Sequence, residues 1–481
     1  MGQEISTSHF SPEDFDNYYQ ALEQETALLN DWFVSHRFSQ RNLVAGYELE
    51  AWLIDQKSEP SASNHEFLQL ANSPLLSPEL ARFNVELNNA PHDLSGNVLS
   101  LFERDFVSHW QHCQQVAQQI DCRMLSIGIL PTLRDKHLTL KNISSLERYR
   151  ALNEQVLKQR EHEPFHLNIT GRENLQSIHR DVMLESATTS FQVHLQVTQE
   201  TAVRYYNASI IVSAPMVAIS ANSPFLFGKD LWSETRIPLF EQAVNIGGYD
   251  GAAHGPVHRV SFGTGYARQS LMECFNENLH HFPVLLPMQF DQDSVQLKHL
   301  ALHNGTIWRW NRPLIGFDED GTPHLRIEHR VMPSGPSMVD NIANMAFFYG
   351  LVHFYATKQT PPETEIEFSK AKDNFYLAAQ QGTSVRIDWP QCNRCGIRQL
   401  VLDRFLEEAK TGLSQLKVDQ QDIEYYLGII QARIEHDQTG TDWQREFVKQ
   451  QGRDMRRLTQ TYYHNQQTNE PVHCWDFVSY S

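Results

Sequence analysis

Cysteine is sparse in this chain. Cys113, Cys122, Cys274, Cys392, Cys395 and Cys474 are six in 481 residues, too few and too irregular for a disulfide framework. Only Cys392-Asn-Arg-Cys395 has a metal-like or redox-like spacing. Without a second such pair or paired histidines it is half of a zinc ligand set, so free thiols are expected. Basic charge is also short: 40 Lys and Arg against 58 Asp and Glu give a formal net charge of −18. That balance argues against a sequence-independent grip on nucleic-acid phosphates. No apolar run approaches the roughly 20 residues that span a bilayer. The opening MGQEISTSHFSPEDFD is acidic where a secretory signal is basic and then apolar. A cytoplasmic protein with no membrane partner is therefore expected. No glycine-rich nucleotide loop precedes a helix, and no regular βαβ rhythm is present, which argues against a doubly wound parallel sheet.

What is present is ample core material, 41% hydrophobic with 11% aromatic, so the chain should fold. A helix is expected over residues 11–38, opened by Ser-Pro-Glu-Asp. Residues 43–54, 83–88, 189–197 and 324–331 alternate in two-residue steps and predict strands, and the apolar run 124–130 predicts another. Residues 97–120, 144–159, 201–221 and 338–355 predict helices. After Gln359-Thr-Pro-Pro362 the chain turns polar with helical periodicity, notably at 398–410 and 421–436. The expectation is an α+β fold around a mainly antiparallel sheet. Residues 1–360 form its catalytic domain, and residues 361–481 a mostly helical region packed on that core.

Chemistry is carried by the strands. Side chains at i and i+2 share a face, so Glu48 and Glu50 project together, as do Asn84, Glu86 and Asn88. Gln192, His194 and Gln196 share a face, and so do Arg326, Glu328 and Arg330, with His329 the one polar residue on the opposite side. One amphipathic strand of this kind reads as the solvated side of an antiparallel sheet. Four strands whose polar faces carry Glu, Gln, His, Asn and Arg, and no Lys, read differently. Neighbouring carboxylates repel unless a cation sits between them, and hard oxygen ligands suit magnesium held against phosphates. Arginine adds the planar fork that grips phosphate or carboxylate. A metal-phosphate cavity is the reading these faces support.

Gly46-Tyr-Glu48-Leu-Glu50, the Val-Glu86 strand, Arg148-Tyr149, Gln192-Val-His194, Ala221-Asn-Ser-Pro-Phe225 with Gly228-Lys229 and Arg236, and Glu328-His-Arg330 with Gly335-Pro336 follow one another in order. In that order and spacing the chain resembles the glutamate-cysteine ligases of the plant and proteobacterial type, over roughly residues 40–357 and more weakly at 374–382. The resemblance implies a glutamine synthetase-like curled antiparallel sheet, a funnel surrounded by helices, with ATP at one end and the acceptor acid at the other. It implies Glu48, Glu50, Glu86, His194 and Glu328 as ligands of two or three magnesium ions, with manganese as an alternative. It further implies Arg330 and Arg236 as catalytic cations, and Gln192, Lys229 and Asn222 as nucleotide contacts. Pro333 stands where plant-type members carry an acidic residue, so the sulfur-binding end departs from the pattern.

The activity this resemblance implies is ATP-dependent amide formation, glutamate with cysteine through γ-glutamyl phosphate, as in glutathione biosynthesis. The same chemistry with another acid or amine is the alternative, and a silent nucleotide-binding homologue is a further one. Homo-oligomer formation stays open. The segment 303–312, rich in Trp and Arg, has no counterpart in the resemblance. It packs in the core with one arginine exposed, or it shapes the amine pocket.

Overall fold

In the computed structural model, which describes residues 9–41, 43–246, 258–290 and 294–478, the alternating segments meet in one eight-stranded sheet. Its strands are β1 (Val44–Ile54), β2 (Leu76–Pro78), β3 (Asn84–Asn88), β4 (His92–Asp93), β5 (Arg123–Leu125), β6 (Phe191–Val197), β7 (Asn311–Phe317) and β8 (Pro323–His329). The order is β7-β8-β6-β1-β3-β2, while β4 and β5 pair with the two ends of β1. Every pairing is antiparallel, and the sheet curls into a half-barrel. β1 is the hub because its eleven residues are long enough to serve four neighbours.

One face of the sheet is apolar. Leu49 and Ala51 of β1, Val85 of β3, Phe191 and Val193 of β6 and Ile327 of β8 are at most 1% exposed. Helices cover this face, chiefly α3 (Ala202–Ser220) and α4 (Met338–Thr357), which follow α1 (Pro12–Val34) and α2 (Val98–Gln119) in the chain. α3 and α4 are buried around nearly their whole circumference and are mostly apolar, with a few buried polar residues such as Asn207, Asp340 and Asn344. His329 sits on this side, stacked 4.1 Å from Phe348 of α4 and bonded through Nδ1 to Asn311. Burial pushes its pKa down to about 3, so it is a neutral core histidine. Shortening Ile327 to alanine is expected to cost about 2–5 kcal/mol of stability. Turnover per folded molecule should be unchanged, checked by denaturant unfolding beside activity normalised to folded protein.

The C-terminal part is helical, as the sequence predicts. α5 (Leu406–Gln415) and α6 (Gln420–Glu435) pack on α4, and Phe375, Val401, Leu413 and Ile430 share one apolar cluster with Leu49 and Ile327. At the crossing of α4 and α5, Gly350 and Gly412 face each other, and a Cβ on either would strike the other helix's backbone. Among the described residues, no helix is long and apolar enough to cross a membrane.

The structure departs from the sequence reading in three places. The predicted strand 124–130 keeps ladder pairing only over Arg123–Leu125. Beyond it Ile127, Ile129 and Leu130 are buried in a second core, and the Ile127 carbonyl accepts from the Trp52 indole at 3.1 Å. An apolar run reports burial, which irregular backbone satisfies as well as a strand. Hairpins at 165–179 and 386–396 were not anticipated. In the second, the sulfurs of Cys392 and Cys395 lie side by side, while Cys113, Cys122, Cys274 and Cys474 are free thiols, as expected.

Candidate active site

The register of the sheet decides which polar residues meet. Glu50 lies opposite Glu86, Glu48 opposite Gln192, His194 opposite Glu328, and Glu328 opposite Arg312. Residues directly opposite point to the same side, so five strands deliver one continuous polar face, the other side of the sheet from the core.

On this face two acidic groups form. Glu48, His194 and Glu328 bring one ligand atom each to within 4.8 Å of one another, and so do Glu50, Glu79 and Glu86. In the first, His194 Nε2 stands 3.2 Å from Glu48 Oε1. Arg312 grips Glu328 with two hydrogen bonds of 2.9 Å, and Arg330 Nη1 adds a third at 3.2 Å. In the second, Glu50 accepts from the Ser190 amide at 2.7 Å and from Gln192 Nε2 at 2.9 Å. Glu86 accepts from Ser77 and Asn88.

The electrostatics of the two groups differ. Burial raises the Glu48 pKa, but His194 overrides it and holds it at about 2. Glu328 is likewise lowered against burial by Arg312 and Arg330. In the second group burial dominates. It pushes Glu50 up to about 7 against the pull of Arg330, and Glu79 and Glu86 also rise, by burial and then by repulsion from neighbouring carboxylates. A divalent cation removes this repulsion. Closed-off polar atoms mark where one fits: Glu48 Oε2, Glu79 Oε1, Glu86 Oε2, Gln192 Oε1 and His194 Nδ1 lack hydrogen-bond partners, and His194 Nε2 meets only Glu48 Oε1. Oxygen-rich sets with one imidazole suit magnesium or manganese.

Two cavities adjoin the groups, sharing Glu79 and Glu185 as walls. The larger, about 340 Å³, runs from Glu48 and Glu328 between apolar walls that include Tyr149, Phe290 and Trp308, with Arg148, Lys298, Arg312 and Arg326 as cations. The smaller, about 20 Å³, lies between Glu50 and the pair Arg236 and Arg330. Arg236 is 3.3 Å from Glu234, and its guanidinium lies 5.4 Å from the Trp310 ring.

Of the residues singled out from sequence, Glu48, Glu50, Glu86, Gln192, His194, Glu328, Arg330 and Arg236 are gathered here. Asn222 and Lys229 are not. Asn222 is fully buried, donating to the Ser334 carbonyl and Tyr462 hydroxyl and accepting from Gln444. No polar atom of its amide is left for a nucleotide. Lys229 is on the surface, 3.4 Å from Glu173. The segment 303–312 exposes neither arginine. Arg309 is buried on Glu277 and Asn278, Arg312 on Glu328, and Trp308 lines the larger cavity. Glu79 is one residue that sequence reasoning missed. It follows β2 in Ser-Pro-Glu-Leu, outside any alternation, and carries no local signal.

A sequence profile described as Glutamate-cysteine ligase family 2 matches residues 44–462. The chain belongs to that family. It is accordingly an ATP-dependent ligase that joins a carboxylate to an amine. Among solved structures, the glutamate–cysteine ligase of Francisella tularensis in complex with AMP aligns at a TM-score of 0.52 and 11% identity, covering 92% of this chain and 91% of that one. At that identity the likeness is one of fold. A bifunctional glutathione synthetase from Pasteurella multocida aligns at 0.49 and 12%, covering 92% of this chain and 54% of that one. No curated protein matches significantly.

Proposed function

We propose that this family member is a glutamate-cysteine ligase that activates the γ-carboxylate of glutamate with ATP and passes it to the amine of cysteine. The observation that carries the reading is the placement of two acidic groups side by side on the sheet, with a larger cavity at one and a small arginine-lined lobe at the other.

Amide formation in water is uphill, so the carboxylate first takes the γ-phosphoryl of ATP. The amine then attacks the acyl carbon, and phosphate leaves. The larger cavity suits the nucleotide: its aromatic and aliphatic walls offer the base a stacking surface, and Arg148, Lys298 and Arg326 offer the phosphates cations. Glu48, His194 and Glu328 on one side, and Glu50, Glu79 and Glu86 on the other, would hold magnesium. When bound, magnesium supplies neutralisation of the phosphate oxygens. Arg330 and Arg236, walling the small lobe, hold the carboxylate of the acid and the oxygens of the transferring group. Gln192, donating to Glu50, fixes that carboxylate's orientation.

The second reading, the same chemistry with another acid or amine, is left standing by the departure at Pro333. A silent homologue is disfavoured because Glu48, Glu50, Glu86 and Glu328 are all present. The test is phosphate release from ATP with amino acids supplied in pairs, and mass spectrometry of the product. Release should require a divalent metal, stop on chelation and return on adding magnesium. It should also require a dicarboxylic amino acid, glutamate above others, and yield γ-glutamylcysteine. Vigorous release from ATP alone would sink the ligase reading. A different dominant conjugate would replace cysteine and leave the ligation intact.

A further inference from the structure

The small lobe contains more than the proposed function uses. Besides Glu50, Glu79, Arg236 and Arg330, its polar walls are Asn84, Glu185 and the hydroxyls of Ser186, Thr188, Thr189 and Ser190. The hydroxyls are engaged elsewhere. Ser186 donates to the Met183 carbonyl, Thr188 to Glu185, Thr189 to Ile127, and Ser190 accepts from Gln192. Two side chains remain. Asn84 is 2% exposed, yet neither its amide nitrogen nor its oxygen has a partner, and Glu185 Oε2 is closed off from solvent without one. An amide buried with both ends unsatisfied is costly, and such a pair facing a cavity beside the reacting groups points to a ligand that satisfies it.

We propose that Glu185 and Asn84 recognise the amine acceptor, Glu185 by accepting hydrogen bonds from its ammonium group and Asn84 by pairing with a second polar group of the same molecule. This rests on the ligase reading and adds the residues that select its second substrate. The chemistry is specific to a cation: two arginines in the lobe serve anionic groups, and Glu185 belongs to neither acidic group that gathers ligand atoms within 4.8 Å. Burial, with Glu50 nearby, raises its pKa to about 8, and a cationic head group set against its unpartnered oxygen offsets both. The lobe holds little more than one water-sized group, so only the ammonium end of the acceptor enters it, at the edge where Arg330 and Arg236 face the carboxyl it is to join.

The experiment uses the full chain with magnesium, ATP and glutamate, and titrates L-cysteine and, separately, L-2-aminobutyrate, which shares the ammonium and lacks the sulfur. Glu185→Gln should raise the KM for both amines by about ten- to a hundredfold, the loss of one charge-assisted hydrogen bond, and by the same factor for each. The KM values for ATP and glutamate and the half-saturating magnesium should stay within about twofold. Asn84→Ala should raise the amine KM severalfold, which keeps the test open if the first variant does not fold, and Glu185→Asp should recover part of the loss. Glutamate-dependent positional isotope exchange in ATP, measured without amine, should continue in Glu185→Gln. An unchanged amine KM in both variants, or a shifted magnesium requirement in Glu185→Gln, overturns the inference while the exchange upholds the ligase reading. No exchange and no turnover in the unmodified protein overturns both.

Discussion

Glu328→Gln is expected to cut turnover by roughly a hundred- to a thousandfold or more, with stability falling as well. The amide keeps the shape of the carboxylate but removes a unit charge from the group it forms with Glu48 and His194. A cation held by that group would be bound more weakly, and the neutralisation it would supply to charge developing on the transferring phosphoryl is worth several kcal/mol in the transition state. The stability effect has a separate cause. Glu328 is 2% exposed and holds two buried guanidiniums, Arg312 and Arg330. Removing one partner of a buried pair costs up to about 3–5 kcal/mol because the other charge stays desolvated. The check is a melting curve beside initial rates at saturating magnesium. Near-normal turnover would remove Glu328 from the metal group and put Glu48 and His194 in doubt with it.

Arg433→Met is expected to be among the most destabilising substitutions away from the site, costing about 3–5 kcal/mol. Arg433 of α6 is 1% exposed. It donates to Asp340 at 2.7 Å and to Asn344 at 2.6 Å on α4, and to the Ile219 carbonyl on α3 at 3.1 Å. One side chain therefore ties a C-terminal helix to the two helices beneath the sheet. Asp340 has no exposure and also accepts from Ser337 and the Val472 amide, so without its cation it is a buried charge on neutral donors. Adding Asp340→Asn to Arg433→Met should recover part of the loss, since it neutralises that charge. Denaturant unfolding of both single variants and the double one closes the cycle. If the single arginine variant unfolds at the parental midpoint, the tie contributes nothing. Its loss should lower the amount of folded enzyme and leave the KM values of the remainder alone, unlike the variants at the site.

The strands were legible because their signal is local. β1, β3, β6 and β8 each show the two-residue period within a handful of residues, and the polar side of that period carried Glu48, Glu50, Glu86, Gln192, His194 and Glu328. The hairpins at 165–179 and 386–396 were not read, although Phe165, Leu167 and Ile169 alternate with polar residues as the strands of the sheet do and are buried; their partner strands, 174–179 and 392–396, carry few apolar residues to mark the pair. Asn222 and Lys229 show the opposite error. Both fall in a motif whose order along the chain matches the family, yet one is consumed inside the protein and the other points outward.

The sequence by itself determined the period of each strand, the chemistry of its polar side and the family's order of motifs, because side-chain direction in a strand follows from position alone. Tertiary structure decided which faces meet and what completes them. Register set Glu328 between His194 and Arg312. Chain folding brought in Glu79 from beyond β2 and Glu185 from a helical turn, residues whose neighbours in sequence say nothing of a site. The physical reason is that a carboxylate's role depends on the charges and cavities within a few ångströms of it. Those are supplied by segments tens to hundreds of residues away, through contacts that no local pattern records.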